Sequence, residues 1–358
     1  MSKPTSILYS EAVSLLKQLI AIPSFSKEEE RTADCIQQFF SSKQVAVNRK
    51  GNNIWAQNKY FDAAKPTLLL NSHHDTVKPN PGYTRNPFSP DEEEGKLYGL
   101  GSNDAGASLV SLIAAFLHFY EHEQLAYNII MAATAEEEIS GANGVESILP
   151  ELGKIDVAIV GEPTLMQMAV AEKGLLVIDC IARGRAGHAA RNEGDNAIYH
   201  ALDDINRLRN FSFPKVSELL GPVKISVTII NAGTQHNVVP DECRFTADIR
   251  INELYTHEEI LDTISQNIKA EIKPRSLRMR SSSISAGHPL VMAGLALGRT
   301  TYGSPTTSDK ALMPFPALKM GVGDSARSHT ADEFVYLKEI ETGIELYIGL
   351  LTSFLKQA

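Results

Sequence analysis

Cysteine is scarce in this chain of 358 residues: there are three, Cys35, Cys180 and Cys243, far apart in segments that read as helix or strand. Such spacing excludes a metal knuckle and argues against a disulfide framework, so each is expected as a small buried hydrophobe. Long apolar runs are missing too. The longest stretches, such as 109–117, fall far short of the roughly 20 residues of a membrane span. The opening Met1-Ser2-Lys3-Pro4 has no apolar leader core, so a cytoplasmic protein with no membrane partner is expected. Nor is positive charge concentrated anywhere: the net charge is −9 and no block of Lys and Arg occurs. That excludes nucleic acid and anionic membrane as partners and leaves a small molecule. A glycine-rich phosphate loop is absent as well, since Gly99-Leu100-Gly101 alone does not make one, and nucleotide-dependent transfer chemistry loses its basis.

What is present is enough hydrophobic sequence, 43%, to build two cores in a chain too long for one. Helical periodicity marks 10–20 and 28–40, the second opened by the capping-box pattern Ser26-Lys27-Glu28-Glu29. Strands follow at 53–57 and 67–71, a buried helix at 107–120, and strands at 128–134 and 156–160. This alternation predicts an α/β fold with a mostly parallel sheet covered by helices. After Pro163 the texture changes to strands at 175–182, 223–230 and 243–251 with helices at 195–210 and 257–272, and it reverts from Pro289 to a final helix at 337–355. The simplest architecture is discontinuous: residues 1–165 and 277–358 form one domain, and 166–276 an inserted α+β domain.

The chemistry centres on His73-His74-Asp75 at the end of the apolar strand. Side chains alternate along a strand, so His73 and Asp75 share a face while His74 points away. His73 is therefore the better ligand candidate. Four later landmarks each have a bland explanation: Asp104 as a helix cap, Glu137-Glu138 as a solvated loop, Glu162 as a polar residue before Pro163, His329 as a structural imidazole. Together they place two imidazoles and several carboxylates at strand ends, where open α/β sheets bind ligands. A nitrogen and oxygen set without thiolate suits Zn²⁺, with Co²⁺ or Mn²⁺ as alternatives. Asp104, Glu138 and Glu162 bring three negative charges, which match two divalent ions and one hydroxide better than a single ion.

Taken in order, these motifs resemble the co-catalytic zinc aminoacylase and carboxypeptidase family that includes acetylornithine deacetylase and succinyl-diaminopimelate desuccinylase. The likeness runs from about Leu15 to Phe354. It rests on Ser72-His73-His74-Asp75-Thr76-Val77, on Asp104 in its Gly- and Asp-rich segment, on Thr134-Ala135-Glu136-Glu137-Glu138, on Gly161-Glu162-Pro163-Thr164, and on His329 before Asp332-Glu333. The resemblance implies a zinc-peptidase-like catalytic domain, two divalent ions held by His73, Asp104, Glu138, Glu162 and His329 with Asp104 bridging, and Glu137 as general base. Asp75 would orient His73 or tune the metal. In the insert, Arg185-Ala186-Gly187-His188 resembles the segment whose His completes the neighbouring subunit's site, so His188 is a catalytic candidate and a homodimer through the insert is implied. Asn237, Arg250 and Lys310 become substrate-binding candidates; the fork of Arg250 suits a carboxylate, although a surface strand residue and a solvated loop lysine remain open for Arg250 and Lys310.

Two departures from the family pattern, Leu100 between Gly99 and Gly101 and Asn103 beside Asp104, bear on substrate preference more than on metal binding. The implied reaction is hydrolysis of an N-acyl amino acid, foremost N-acetylornithine or N-acetylcitrulline of arginine biosynthesis. N-succinyl substrates including succinyl-diaminopimelate, and then dipeptides, are the alternatives. A catalytically silent metal-binding scaffold would show a gap in the set, and the sequence shows none.

Overall fold

The computed structural model describes residues 4–356 and resolves them into two compact units. The first holds the chain up to Val170, Ser283–Tyr302 and everything from Ser308; the second holds Ala171–Ser282 and Gly303–Thr307. The insertion expected over 166–276 thus starts and ends a few residues later, for a local reason. Met168 N–H donates to Thr300 and Val170 accepts from Ile284 N–H at 2.8 Å, which keeps this stretch in the first sheet. The short return 303–307 joins the second unit because Ser304 accepts from Lys173 N–H at 3.1 Å and Thr307 Oγ1 donates to the Lys173 carbonyl at 2.7 Å.

In the first unit the strands Asn128–Thr134, Thr67–His73, Val157–Val160 and Ala317–Lys319 lie side by side in that order, all parallel. Asn53–Gln57 adds antiparallel on one side, and Met168–Glu172 continues the sheet on the other. Every residue of Thr67–His73 and of Asn128–Thr134 is buried, as a sheet covered on both faces requires. The faces sort by parity. Leu68, Leu70, Ile129 and Met131 join the core formed with the helices Thr5–Ile20, Ala107–Phe119 and Leu337–Phe354, whereas Leu69, Ile130 and Ala132 pack with Val145, Ile148 and Leu152 of Val145–Leu152.

The second unit is an antiparallel sheet in the order Lys224–Ala232, Glu242–Ile251, Gly174–Arg183, Glu271–Pro274. Gly174–Arg183 alternates buried and half-buried residues along its length, one face resting on a core shared with the helices Ala197–Asn210 and His257–Asn267. Two local expectations are corrected. The helix expected to reach 272 stops at Asn267, because the buried Asp204 carboxyl accepts the N–H groups of Lys269 and Ala270 and turns the chain into the strand Glu271–Pro274. The capping box at Ser26 does not form either: the helix begins at Glu30, and Ser26 Oγ donates instead to Asp75 Oδ2 at 2.7 Å.

Cys180 and Cys243 are buried and Cys35 half-buried, all as free thiols. No helix among the described residues is long and apolar enough to cross a membrane. Leu70, fully buried in the central strand, sets a test of this packing. Leu70→Ala should lower unfolding stability by about 2–5 kcal/mol in a denaturant titration, and a loss below about 1 kcal/mol would contradict the closely packed sheet face.

Candidate active site

The parallel strands deliver their site residues at one edge of the sheet. His73 ends its strand, Glu137 and Glu138 lie three and four residues after Thr134, and Glu162 lies two after Val160. His73 is 1% exposed. Its Nε2 lies 3.3 Å from Asp104 Oδ1, 3.8 Å from Glu162 Oε1 and 3.9 Å from Glu137 Oε2. His329 approaches from a late loop, with Nε2 3.0 Å from Glu138 Oε2 and 3.7 Å from Asp104 Oδ2. The two oxygens of Asp104 therefore face different imidazoles. His73, Asp104 and Glu138 form one triad of ligand atoms within 4.8 Å of one another, and His73, Glu137 and Glu162 a second.

His74 points away, as strand alternation predicts. Thr32 Oγ1 lies 2.9 Å from its Nδ1 and the Asn52 carbonyl 2.9 Å from its Nε2. Burial lowers it to about 4, so it stays neutral and structural. Asp75 stands beside His73 and also serves a second group. The nearest oxygen to His73 Nδ1 is the Asp75 carbonyl at 3.0 Å, with the carboxyl at 3.4 Å. That carboxyl accepts the N–H groups of Glu137 and Glu138 at 3.0 and 3.1 Å together with Ser26 Oγ. Asp75 thus fixes the turn that presents both glutamates.

Glu333 does the same for Asp104. Its carboxyl, buried, accepts the N–H groups of Gly101, Asn103 and Asp104 at 3.0, 2.9 and 2.9 Å. Ser26 and Glu333 stand in segments already conspicuous in the sequence, one as a presumed cap and the other in the acidic pair after His329. Only the folded chain shows what they hold.

The electrostatics record an excess of carboxyl groups. Burial, then the neighbouring Glu162, pushes Glu137 well above the usual carboxylate range. Burial raises Glu138 against its bond from His329, and raises Glu162 and Glu333 each to about 8. Burial opposes protonation of His73, yet Asp104 and Asp75 hold it well above the ordinary imidazole range. The Glu138 bond lifts His329 to about 9. Asp104 is held low, against its own burial, by His73. The donor set fits divalent cations on independent grounds. His73 Nε2 and Glu162 Oε1 are buried with no well-formed hydrogen bond among the described residues, and imidazole with carboxylates is a hard-to-borderline set.

The remaining candidates are divided between the two units. In the second unit Gly187–His188 pairs with Val238–Val239, so His188 and Asn237 meet in one ribbon, with Ala189 N–H donating to the Asn237 carbonyl at 3.0 Å. His188 is exposed. Arg250 spends Nε and Nη2 on the Asp248 carboxyl at 2.8 and 3.0 Å and directs Nη1 toward Thr307 Oγ1 at 3.4 Å. Lys310, in the first unit, is fully buried, which removes the solvated-lysine reading.

The pattern of peptidase family M20/M25/M40 matches residues 69–353, and the chain belongs to that family. A peptidase M20 domain-containing protein of Schizosaccharomyces pombe is 30% identical over 73% of this chain and 66% of its own length. A succinyl-diaminopimelate desuccinylase of Delftia acidovorans is 26% identical over 97% of this chain and 99% of its own. Among solved structures, an M20 metallo-carboxypeptidase of Sulfolobus solfataricus superposes with a TM-score of 0.78 at 16% identity, covering 96% of this chain and 99% of that one. A Bacillus subtilis protein described as a dinuclear metal-binding M20 peptidase does so at 0.70 and 16%, covering 99% of this chain and 100% of that one. The α/β fold and the membership agree, and the protein is a hydrolytic enzyme acting on amide bonds.

The raised groups set a pH dependence. Glu162, at about 8 against an ordinary 4.5, binds a proton more tightly folded than unfolded. Its contribution to stability is complete below the unfolded value and is lost as pH rises through about 8. Glu137, Glu138 and Glu333 act in the same direction. Chelated protein should therefore melt at progressively lower temperature between about pH 5 and about pH 8, and saturating Zn²⁺ should flatten the slope. A pH-independent melting temperature in chelator would contradict the buried carboxyl cluster.

Proposed function

We propose that the protein hydrolyses the amide bond of an N-acyl amino acid at a centre for two divalent ions, Zn²⁺ foremost. The observation that carries this reading is Asp104, whose oxygens face His73 on one side and His329 on the other. One ion would be held by His73, Glu162 and Asp104, the other by Asp104, Glu138 and His329. When bound, such a pair polarises the acyl carbonyl and acidifies water. Glu137 then has a defined task. Its carboxyl accepts a proton from the attacking water, whose oxygen bonds to the acyl carbon, and returns that proton to the amide nitrogen as the C–N bond breaks. The products are a carboxylate and a free amine. Burial and Glu162 lift Glu137 above the usual carboxylate range, which makes its carboxylate a stronger proton acceptor.

The relatives named as succinyl-diaminopimelate desuccinylases support a succinyl substrate; motif resemblance supports N-acetylornithine or N-acetylcitrulline. The candidate cations favour the acetyl reading. A succinyl group adds a carboxylate that needs its own partner, whereas the fork of Arg250 is already committed to Asp248 and Lys310 is enclosed. A single α-carboxylate asks for less.

The working form is a homodimer built through the second unit. The edge strand Lys224–Ala232 leaves Ile229 and Ile230 each 48% exposed, and Tyr199 on Ala197–Asn210 is 67% exposed. An apolar open edge of this kind suits pairing with a second copy. His188 of the partner subunit would then supply a donor to the developing oxyanion.

Zinc-loaded enzyme should cleave one of the acetyl or succinyl derivatives of ornithine, citrulline and diaminopimelate, and lose that activity in chelator; a panel without turnover by metal-loaded protein would refute the reading. Glu137→Gln should lower kcat about 10²- to 10⁴-fold with metal content unchanged, and near-normal turnover would remove Glu137 from the base role. Sedimentation should show a dimer that Ile229→Lys disperses, with kcat falling as the monomer forms. A fully active monomer would remove His188 from the chemistry.

A further inference from the structure

The stretch 24–29, between the first two helices, is tied to both halves of the site. Thr76 N–H donates to the Ser24 carbonyl at 2.8 Å, and Ser26 Oγ donates to Asp75. Glu29, wholly buried, completes the attachment. Its Oε1 accepts the N–H groups of Lys27 at 2.6 Å and Glu136 at 3.2 Å, and its Oε2 accepts the Asn52 side-chain amide at 2.9 Å. The same region is docked a second time through the Thr32, His74 and Asn52 contacts that flank the metal-ligand candidate His73.

Glu136 adopts a left-handed backbone, φ 56°, immediately before Glu137. A residue with a side chain holds that conformation only where its surroundings over-determine it. Here three successive peptide groups are fixed by acids from elsewhere in the chain: Glu136 N–H by Glu29, and Glu137 and Glu138 N–H by Asp75. The Glu136 carboxyl in turn accepts the Asn143 N–H at 3.3 Å and its side-chain amide at 3.0 Å, which anchors the far side of the turn.

We propose that Glu29 is a positioning residue for Glu137: it fixes the left-handed peptide that aims the general base, without reaching the reacting atoms itself. This rests on the assignment of Glu137 given above. Every partner of the Glu29 carboxyl named above is a donor, and its two oxygens have separate duties, one for the peptides of Lys27 and Glu136 and one for Asn52. Glu29→Gln turns an amide NH₂ against the NH₂ of Asn52. The double variant Glu29→Gln/Asn52→Asp restores a donor facing an acceptor and leaves the oxygen for Glu136 in place.

The test measures steady-state kinetics, bound metal and amide exchange together in the full-length protein. Misplacement of a reacting group by about 1 Å costs on the order of 100-fold. Glu29→Gln and Glu29→Ala should therefore lose about that factor in kcat while KM stays within about threefold and both metal ions remain bound. The double variant should regain at least about tenfold of the loss, and exchange at the Glu136 amide should quicken in the single variants. A kcat within about twofold of the parent overturns the proposal. So does a loss of activity that only follows loss of metal, because Glu29 would then serve the ligands or the fold. Unchanged exchange at Glu136 overturns it too, and that readout decides the matter even if the parent enzyme cleaves nothing on the panel, a result that would count against the proposed function instead.

Discussion

One buried imidazole, His73, is faced by more carboxyl groups than it can neutralise, and the first unit is organised around holding that imbalance. Asp104, Glu162 and Glu137 each bring an oxygen within 3.3 to 3.9 Å of its Nε2. Like charges so close, and shielded from water, repel strongly. A chain free to relax would splay them apart. Relaxation is prevented by acids outside the cluster, which grip the peptide groups of acids inside it: Asp75 those of Glu137 and Glu138, Glu333 that of Asp104. A peptide N–H carries partial positive charge, so each grip holds position and steadies the gripping carboxyl, as the N–H groups of Gly101, Asn103 and Asp104 do for Glu333 against its burial and the repulsion of Asp104.

The parallel sheet makes this convergence possible. Strands linked by right-handed crossovers run the same way, so their carboxyl ends open on one edge. The intervals from strand end to candidate ligand are short, none at His73, two residues to Glu162 and four to Glu138. Short intervals leave few backbone torsions to fix. Asp104 has no such strand behind it. It sits in the irregular turn Ser102–Gly106 before the helix Ala107–Phe119, and Glu333 takes up the N–H groups of Asn103 and Asp104 in this turn and of Gly101 just before it.

The distinction between His73 and His74 was legible from alternation alone, and so was the parallel sheet, because both depend on local periodicity. Asp75 shows where periodicity stops. Its carboxyl stays 3.4 Å from His73 Nδ1, as a shared face allows, but it also holds a turn 62 residues away in sequence, which no local pattern announces. Ser26 carried the right local pattern for a cap and was taken by a partner 49 residues distant. The overrun of the helix expected to 272 has the same origin, since Asp204 lies 65 residues before the peptide it turns. In each case a local rule offered a satisfactory partner and a buried carboxyl offered a better one. One-dimensional pattern cannot rank those two.

The same imbalance links stability to activity. A site that breaks the rule against burying like charges gives up stability wherever it is not neutralised. Protons can neutralise it, as the raised positions of Glu137, Glu138 and Glu162 show, and so can divalent cations. The two are mutually exclusive, because a protonated carboxyl and a protonated imidazole are poor ligands. A better-balanced site, with one acid removed, would fold more readily and bind cations less well. The anchors Asp75 and Glu333 therefore do more than shape the loops: by keeping the acids together against their repulsion, they preserve the unsatisfied charge from which affinity for a cation is drawn.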